Sequence, residues 1–463
     1  MKRLFTTLAL LAAALPARAA PARQLVEWKL DNGLAVVYLG VHRAPLVSVQ
    51  VFYHVGSKDD PKGLRGLAHM FERLFFKGTR FVPPDQQARM IGALGGKLDA
   101  QSQEDYTAFV DTVPRADLDF AVRLEADRMR NLVVRKEVVD AERRVAKNEL
   151  RARLDGSPVA RGSERFRRTA YTVHPYAGWP LGQAEDLDRI QPADVQRFYD
   201  TYYRPNNAVL VVVGDVSEDE VRVAATRWFG PLERGAEPPR PSAALVEPPQ
   251  TQEHRETVGG SPLGLVMTGY HIPAARSDDL PILQVLWNIV AAGDGARLPV
   301  RITRKDASGV YAGGQLLVTE EPGLFVVYGV FTSPEAAAKV DDGLADELGR
   351  LAREPVGDAE LIRARNQLAA GAVFGGESVE ATAAQLGASK ILTGDAKRWL
   401  VSPERYQAVT AADVQRVAKQ VLVPENRTVI VMPPTPPQAP AATPATPAAP
   451  ATPAPAPGKE GGQ

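Results

Sequence analysis

Apolar positions along the chain follow two periods, and the switches between them mark the elements. Leu25 to Leu30 and Leu34 to Leu39 are short apolar-rich runs on either side of Asp31-Asn32-Gly33. An Asn-Gly between such runs predicts a hairpin, because both residues tolerate the positive φ of a tight turn. Leu46 to His54 alternates as a third strand does. Leu67, Met70, Phe71, Leu74 and Phe75 then recur at three- and four-residue spacing, which predicts a helix ended by Gly78. A second helix is expected from about Pro84 to Leu94, closing at Gly95-Gly96, and a strand pair over Lys97 to Thr112, with Pro114 ending the run. Residues 115–153 are strongly helical in pattern and stay helix-rich to about Tyr203, and Ala208 to Val213 reads as a buried strand running into Gly214-Asp215.

The chain also echoes itself. Ala193-Asp194-Val195-Gln196-Arg197 returns as Ala412-Asp413-Val414-Gln415-Arg416, 219 residues on, and at that offset Pro205 meets Pro424 and Asn207 meets Asn426. The apolar run 209–212 meets 428–431 in the same register. Two copies of one domain are therefore expected, residues 20–235 and 251–433, joined by a Pro-rich linker at 236–250. Residues 434–463 are almost all Pro, Ala and Thr, too poor in apolar content to bury, and read as a disordered tail.

Composition narrows the function. Lysine plus arginine equals aspartate plus glutamate, 55 against 55, which gives no reason to expect nucleic acid or an anionic membrane as partner. The absence of cysteine excludes disulfides, zinc ribbons and thiol catalysis. Lys2 and Arg3 precede an apolar run from Leu4 to Leu15 and the small-x-small pattern Ala17-Arg18-Ala19, so residues 1–19 read as a signal peptide. That run is shorter than the roughly 20 residues of a membrane-spanning helix. No membrane span and a periplasmic or secreted location follow.

Candidate chemistry sits on the helix over Leu67 to Leu74. His69, Glu72 and Arg73 at i, i+3 and i+4 project from one face. H-x-x-E-H zinc peptidases place two metal-binding His and a general-base Glu in this way. Here the fifth position is Arg, whose guanidinium has no lone pair for a metal.

Several separated motifs now carry a resemblance. Tyr53-His54-Val55-Gly56-Ser57-Lys58-Asp59-Asp60, Gly66 to Arg73, Phe76 to Thr79, Leu124 to Met129 and Tyr202 to Ala208 resemble the insulinase/pitrilysin metallopeptidase family, the inverzincins, over about residues 25–433. The resemblance implies an α+β fold: two homologous domains, each an antiparallel sheet with helices packed on one side, closing as a clam shell around a chamber. It implies a third metal ligand 76 residues beyond position 73, where Glu149 stands, and a Glu seven residues earlier that supports the ligands from behind, Glu142. His69 and Glu149 would be vestigial ligand positions and Glu72 the general-base position. Arg73 would pair with Glu149, and with Glu142, filling the metal's place. His54 and His174 lie in ordinary family segments and are not expected to replace the lost ligand.

The same resemblance assigns Arg304 and Tyr311, spaced by seven, to gripping the substrate backbone, although Arg297 to Arg304 is one residue longer than usual. It places Asp99 and Ala100 on the edge strand where a peptide adds as an extra strand, with Asp99 where Asn is usual. Three readings follow. The first is a non-catalytic subunit, without cofactor, that binds peptide and pairs with a homologous subunit carrying an intact H-x-x-E-H motif. The second is an active zinc metalloendopeptidase with unusual ligation, and the third a peptide-binding or assembly protein with no proteolytic partner.

Overall fold

The computed structural model describes residues 25–240, 245–399 and 403–435. The expected signal segment and the tail beyond Thr435 lie outside the described residues. The first sheet contains β1 (Leu25–Lys29), β2 (Ala35–Gly40), β3 (Leu46–Tyr53), β4 (Lys97–Ser102), β5 (Thr107–Pro114) and β6 (Ala208–Gly214), in the order β1-β2-β6-β3-β5-β4. The second contains β7 (His254–Thr257), β8 (Gly264–Ile272), β9 (Tyr311–Leu317), β10 (Gly323–Phe331) and β11 (Arg427–Met432), in the order β7-β11-β8-β10-β9. Each sheet is antiparallel except for one parallel pair, β2 with β6 and β7 with β11. The five-strand order is the same in both, so the fold is α+β with two related halves. Helices pack on one face of each sheet, burying Phe71, Phe75 and Tyr203 in the first core and Leu286, Ile289 and Leu344 in the second.

The two asparagines of the internal echo show why it persists in register. Asn207 Nδ2 donates to Tyr202 O at 2.9 Å and His54 O at 3.2 Å. Asn426 Nδ2 donates to Val421 O at 2.9 Å and His271 O at 3.0 Å. Each amide caps the carbonyl end of a helix, Pro192–Tyr202 or Ala411–Val421, and fastens it to the neighbouring strand. The hairpin turn also does more than turn: Gly33 has φ of 93°, while the Asn32 amide is buried and donates to Phe229 O and Leu232 O.

The opposite face of each sheet is covered by a helix lent by the other half. Helix Pro158–Ala170 lies on β8 and β11, and helix Val379–Thr393 lies on β3 and β6. Both cross their sheet at a glycine: a Cβ on Gly162 would overlap Leu265 of β8, and one on Gly387 would overlap the ring of Phe52 on β3. Gly387→Ala is therefore expected to cost about 1–3 kcal/mol through overpacking. The denaturant midpoint should fall with the slope unchanged; an unaltered midpoint would mean that the helix can lift off the sheet freely.

An ionic seam joins the halves. Lys58, with its side chain 3% exposed, donates to Asp105 at 2.8 Å and to Glu320 of the second half at 2.5 Å. His54 Nε2 meets the same Glu320 oxygen at 2.8 Å, and the Tyr176 hydroxyl donates to Asp105. Burial alone would lower the Lys58 pKa, but Asp105, Asp59 and Glu320 together hold it above its usual value. Glu320, with His54 and Lys58 outweighing its burial, is held at about 2.

Histidines continue this seam. His254 Nδ1 lies 3.1 Å from Thr169 O and His271 Nε2 lies 3.0 Å from Ala170 O, both at the end of the lent helix Pro158–Ala170. Burial lowers the pKa of His54 and His271 and pushes His174 to about 4. The folded state thus keeps these rings neutral where the unfolded chain would protonate them near 6.5, so the unfolded state binds more protons below that pH. As pH drops, the rings lose their contribution from about 6.5 towards 4 and Glu320 loses its own between about 4.5 and 2, while Asp59 and Asp60, which burial pushes to about 7, and Asp111, pushed to about 6, act in the opposite sense. Urea midpoints of the wild type and His174→Asn from pH 8 to pH 4 isolate the histidine share: the variant should gain on the wild type below about pH 6.5, and a difference that stays constant down to pH 4 contradicts it.

Candidate active site

Helix Leu67–Leu74 sits between edge strand β4 and the long helix Lys136–Gly156. Its N-terminus is fixed by Asp60, whose carboxylate accepts from Gly66 N at 2.7 Å and Ala68 N at 2.8 Å. The apolar face, Leu67, Met70, Phe71 and Leu74, is buried in the first core, so the polar face is turned to β4 and the long helix. There the four carboxyl and imidazole groups expected from the sequence come together. His69, 6% exposed, has Nδ1 3.1 Å from Glu72 and Nε2 3.3 Å from Glu149. Arg73 spans the other side, with Nε 3.1 Å from Glu142 and Nη1 2.8 Å from Glu149. The expected ion pairs of Arg73 with both glutamates are thus present.

The cluster is a closed charge network. Burial works against a charged His69, but the hydrogen bonds and charges of Glu149 and Glu72 prevail and raise it to about 9. Glu149 is held at about 2, first by His69 and then by Arg73. Glu72 is lowered despite its burial by His69 and by Ser102, which donates to it through its backbone N at 2.6 Å and its Oγ at 2.5 Å. His69 therefore contributes stability that is full below about 6.5 and is lost as pH rises through about 9, opposite in sign to the seam histidines.

Do these residues fit zinc? The His69 Nε2 to Glu149 Oε2 distance of 3.3 Å matches the edge of a tetrahedron with arms of about 2.0 Å. The two positions that the family resemblance assigns to metal ligands thus have the spacing of two tetrahedron corners. At the third stands a guanidinium that donates to Glu149 and offers no lone pair. Among the described residues no group of three His, Cys, Asp or Glu could hold a metal. The residues present do not fit a catalytic zinc.

Two contacts were not anticipated. Ser102 pins Glu72, and Lys77 donates to Glu142 at 3.2 Å. Lys77 lies four residues after Arg73, so helical spacing could have pointed to it; Ser102 depends on how β4 passes the helix, which no local pattern reveals. Asp99 and Ala100 lie on β4, an outer strand of its sheet, where Asp99 Oδ1 accepts from Ala100 N at 2.9 Å. Tyr311 begins the outer strand β9, 55% exposed, with its ring 6.1 Å from Tyr328. Arg304 is exposed in the turn of helix Val300–Lys305 just before it. Neither residue touches the His69–Glu149 cluster. Between β4 and β9 lies a cleft of about 580 Å³, lined by Ser102, Glu149, Trp179, Gln315 and Leu317 among others, so the cluster opens onto a space that both halves enclose.

Residues 35–178 match the family profile described as Insulinase (Peptidase family M16), and residues 189–368 match that described as Peptidase M16 inactive domain. The chain is 28% identical over 411 residues to the zinc protease PqqE of Helicobacter pylori, which spans 88% of this chain and 92% of that protein. The crystal structure of a protease from Helicobacter pylori superposes with a TM-score of 0.84 at 26% identity, covering 89% of this chain and 100% of that one. The first half of the periplasmic protease PqqL from Escherichia coli superposes with a TM-score of 0.70 at 18% identity, over 89% and 92% of the two chains, a likeness of fold alone.

Proposed function

The chain belongs to the insulinase/pitrilysin family, and from that premise we propose that it is a non-catalytic member that binds peptide and works with a homologous, metal-bearing subunit. One observation carries the proposal: Arg73 bonds both Glu142 and Glu149 and so supplies a fixed cation where the family motif has a ligand. In this reading His69 and Glu149 are relics of the metal site, Glu142 their supporting carboxylate, and Glu72 a general base without a metal partner. Arg304 and Tyr311 hold the peptide backbone, and the peptide lies along β4 past Asp99 and Ala100. Zinc belongs to the partner subunit, whose own H-x-x-E-H motif is intact. Residues 20–235 and 251–433 are the two homologous units, 236–250 the linker, and residues 1–19 a signal peptide that directs export, to a periplasmic or secreted location.

Metal content of the purified mature chain, with cleavage of an unstructured peptide in the presence and absence of chelator, tests this. The expected result is no stoichiometric zinc and no chelator-sensitive cleavage by the chain alone, with cleavage appearing on addition of the partner subunit. Stoichiometric zinc with chelator-sensitive cleavage by the chain alone overturns it. That outcome would favour the second reading, an active zinc metalloendopeptidase, whose support is the preserved 3.3 Å spacing of His69 and Glu149 and the retained Glu72. Peptide binding with no co-purifying peptidase would instead leave a binding or assembly protein.

A further inference from the structure

A second pocket, of about 460 Å³, lies at the junction of the two halves and shares no lining residue with the cleft between β4 and β9. Four cationic residues, three of them exposed, line it from four separate segments. Lys29 ends β1, Arg240 follows helix Glu218–Phe229, Arg276 follows β8, and Lys390 lies in helix Val379–Thr393. The one carboxylate in the lining, Glu320, is already engaged by His54 and Lys58. Lys390 pairs with Glu27 at 2.6 Å. Arg276 approaches Glu321 only at 3.8 Å and donates to Glu320 O at 3.3 Å. Arg240 has neutral partners, His54 O at 3.1 Å and Asn207 Oδ1 at 2.8 Å. The Lys29 side chain has no hydrogen-bond or ion-pair partner among the described residues.

Like charges gathered in a concavity repel one another unless a counter-charge enters, and the walls focus the potential on whatever does. Two guanidinium forks with two ammonium groups match an anion with several oxygens far better than a monatomic one. We propose that this pocket binds a small phosphate-class anion, which would bridge the first half through Lys29, the linker through Arg240, and the second half through Arg276 and Lys390. The site depends on neither the metal cluster nor any peptidase activity.

Isothermal titration of the full mature chain with inorganic phosphate and with diphosphate, at ionic strength held constant with chloride, tests it. Saturable one-site binding of either anion is expected. Lys29→Gln loses no structural contact and should weaken it about five- to tenfold, the share of one charged contact. Arg240→Gln should weaken it at least as much, with circular dichroism confirming that the variant is folded. No saturable heat beyond the chloride control, or an affinity unchanged in Lys29→Gln, overturns the proposal.

Discussion

Lys58→Met is expected to destabilise the protein by about 3–5 kcal/mol, the cost of stranding buried charges when one partner of a buried ion pair is removed. The ammonium is 3% exposed and serves two carboxylates at once, one from each half. Methionine preserves much of the side-chain volume, so the loss would be electrostatic and not a cavity. Asp105, itself 2% exposed, would keep only the Tyr176 hydroxyl and the Glu320 backbone N–H. Glu320 would keep only His54, whose own burial disfavours the charged ring. The halves should therefore separate more readily, seen as a lower urea midpoint and faster limited proteolysis in the loop at residues 318–322. Adding Glu320→Gln to Lys58→Met should recover part of the loss, because it removes one stranded charge; the double-mutant cycle measures how much. A loss under about 1 kcal/mol for Lys58→Met would mean that water reaches the site and the seam is not what holds the halves together.

Local pattern predicted the elements that position the cluster. The apolar stripe of helix Leu67–Leu74 follows from burial of one face, which periodicity reports directly, and the unbroken apolar run of β6 from burial on both faces. The internal echo reached further, because Asn207 and Asn426 repeat one capping geometry and so stay in register with their strands. Family spacing, not periodicity, singled out Glu142 and Glu149, since a pair of glutamates on a charged helix looks like any solvated face. What stayed hidden depends on contacts between distant segments. Nothing near Gly162 or Gly387 announces a helix that packs on the other half's sheet; the glycines acquire meaning only once Leu265 and Phe52 face them. Lys58 and Glu320 are 262 residues apart, and a lysine in a polar run reads as exposed until the fold buries it.

Arg73→His is expected to convert a chain without stoichiometric zinc into one that binds it near-stoichiometrically. The substitution removes the fixed positive charge that repels the ion and adds an imidazole four residues beyond His69, on the same face of the helix. His69 Nε2 and Glu149 Oε2 already lie 3.3 Å apart, so two of three protein ligands need little rearrangement. Without metal the variant should be less stable by about 1–3 kcal/mol, a range lowered from the fully buried case because the side chains of Arg73 and Glu149 are 24% and 42% exposed. Lys77 remains on Glu142 at 3.2 Å and limits the damage. Zinc should restore the lost stability by binding only the folded state. Dialysis against zinc followed by metal analysis, with thermal melts in zinc and in chelator, reads both effects. Recovered peptide cleavage is not expected to follow in proportion, because Glu72 is pinned by Ser102 N at 2.6 Å and Ser102 Oγ at 2.5 Å. Zinc uptake with weak cleavage would place the remaining defect at that contact. Failure to take up zinc at all would move the defect to the frame of the site, since Arg73 would then be one loss among several.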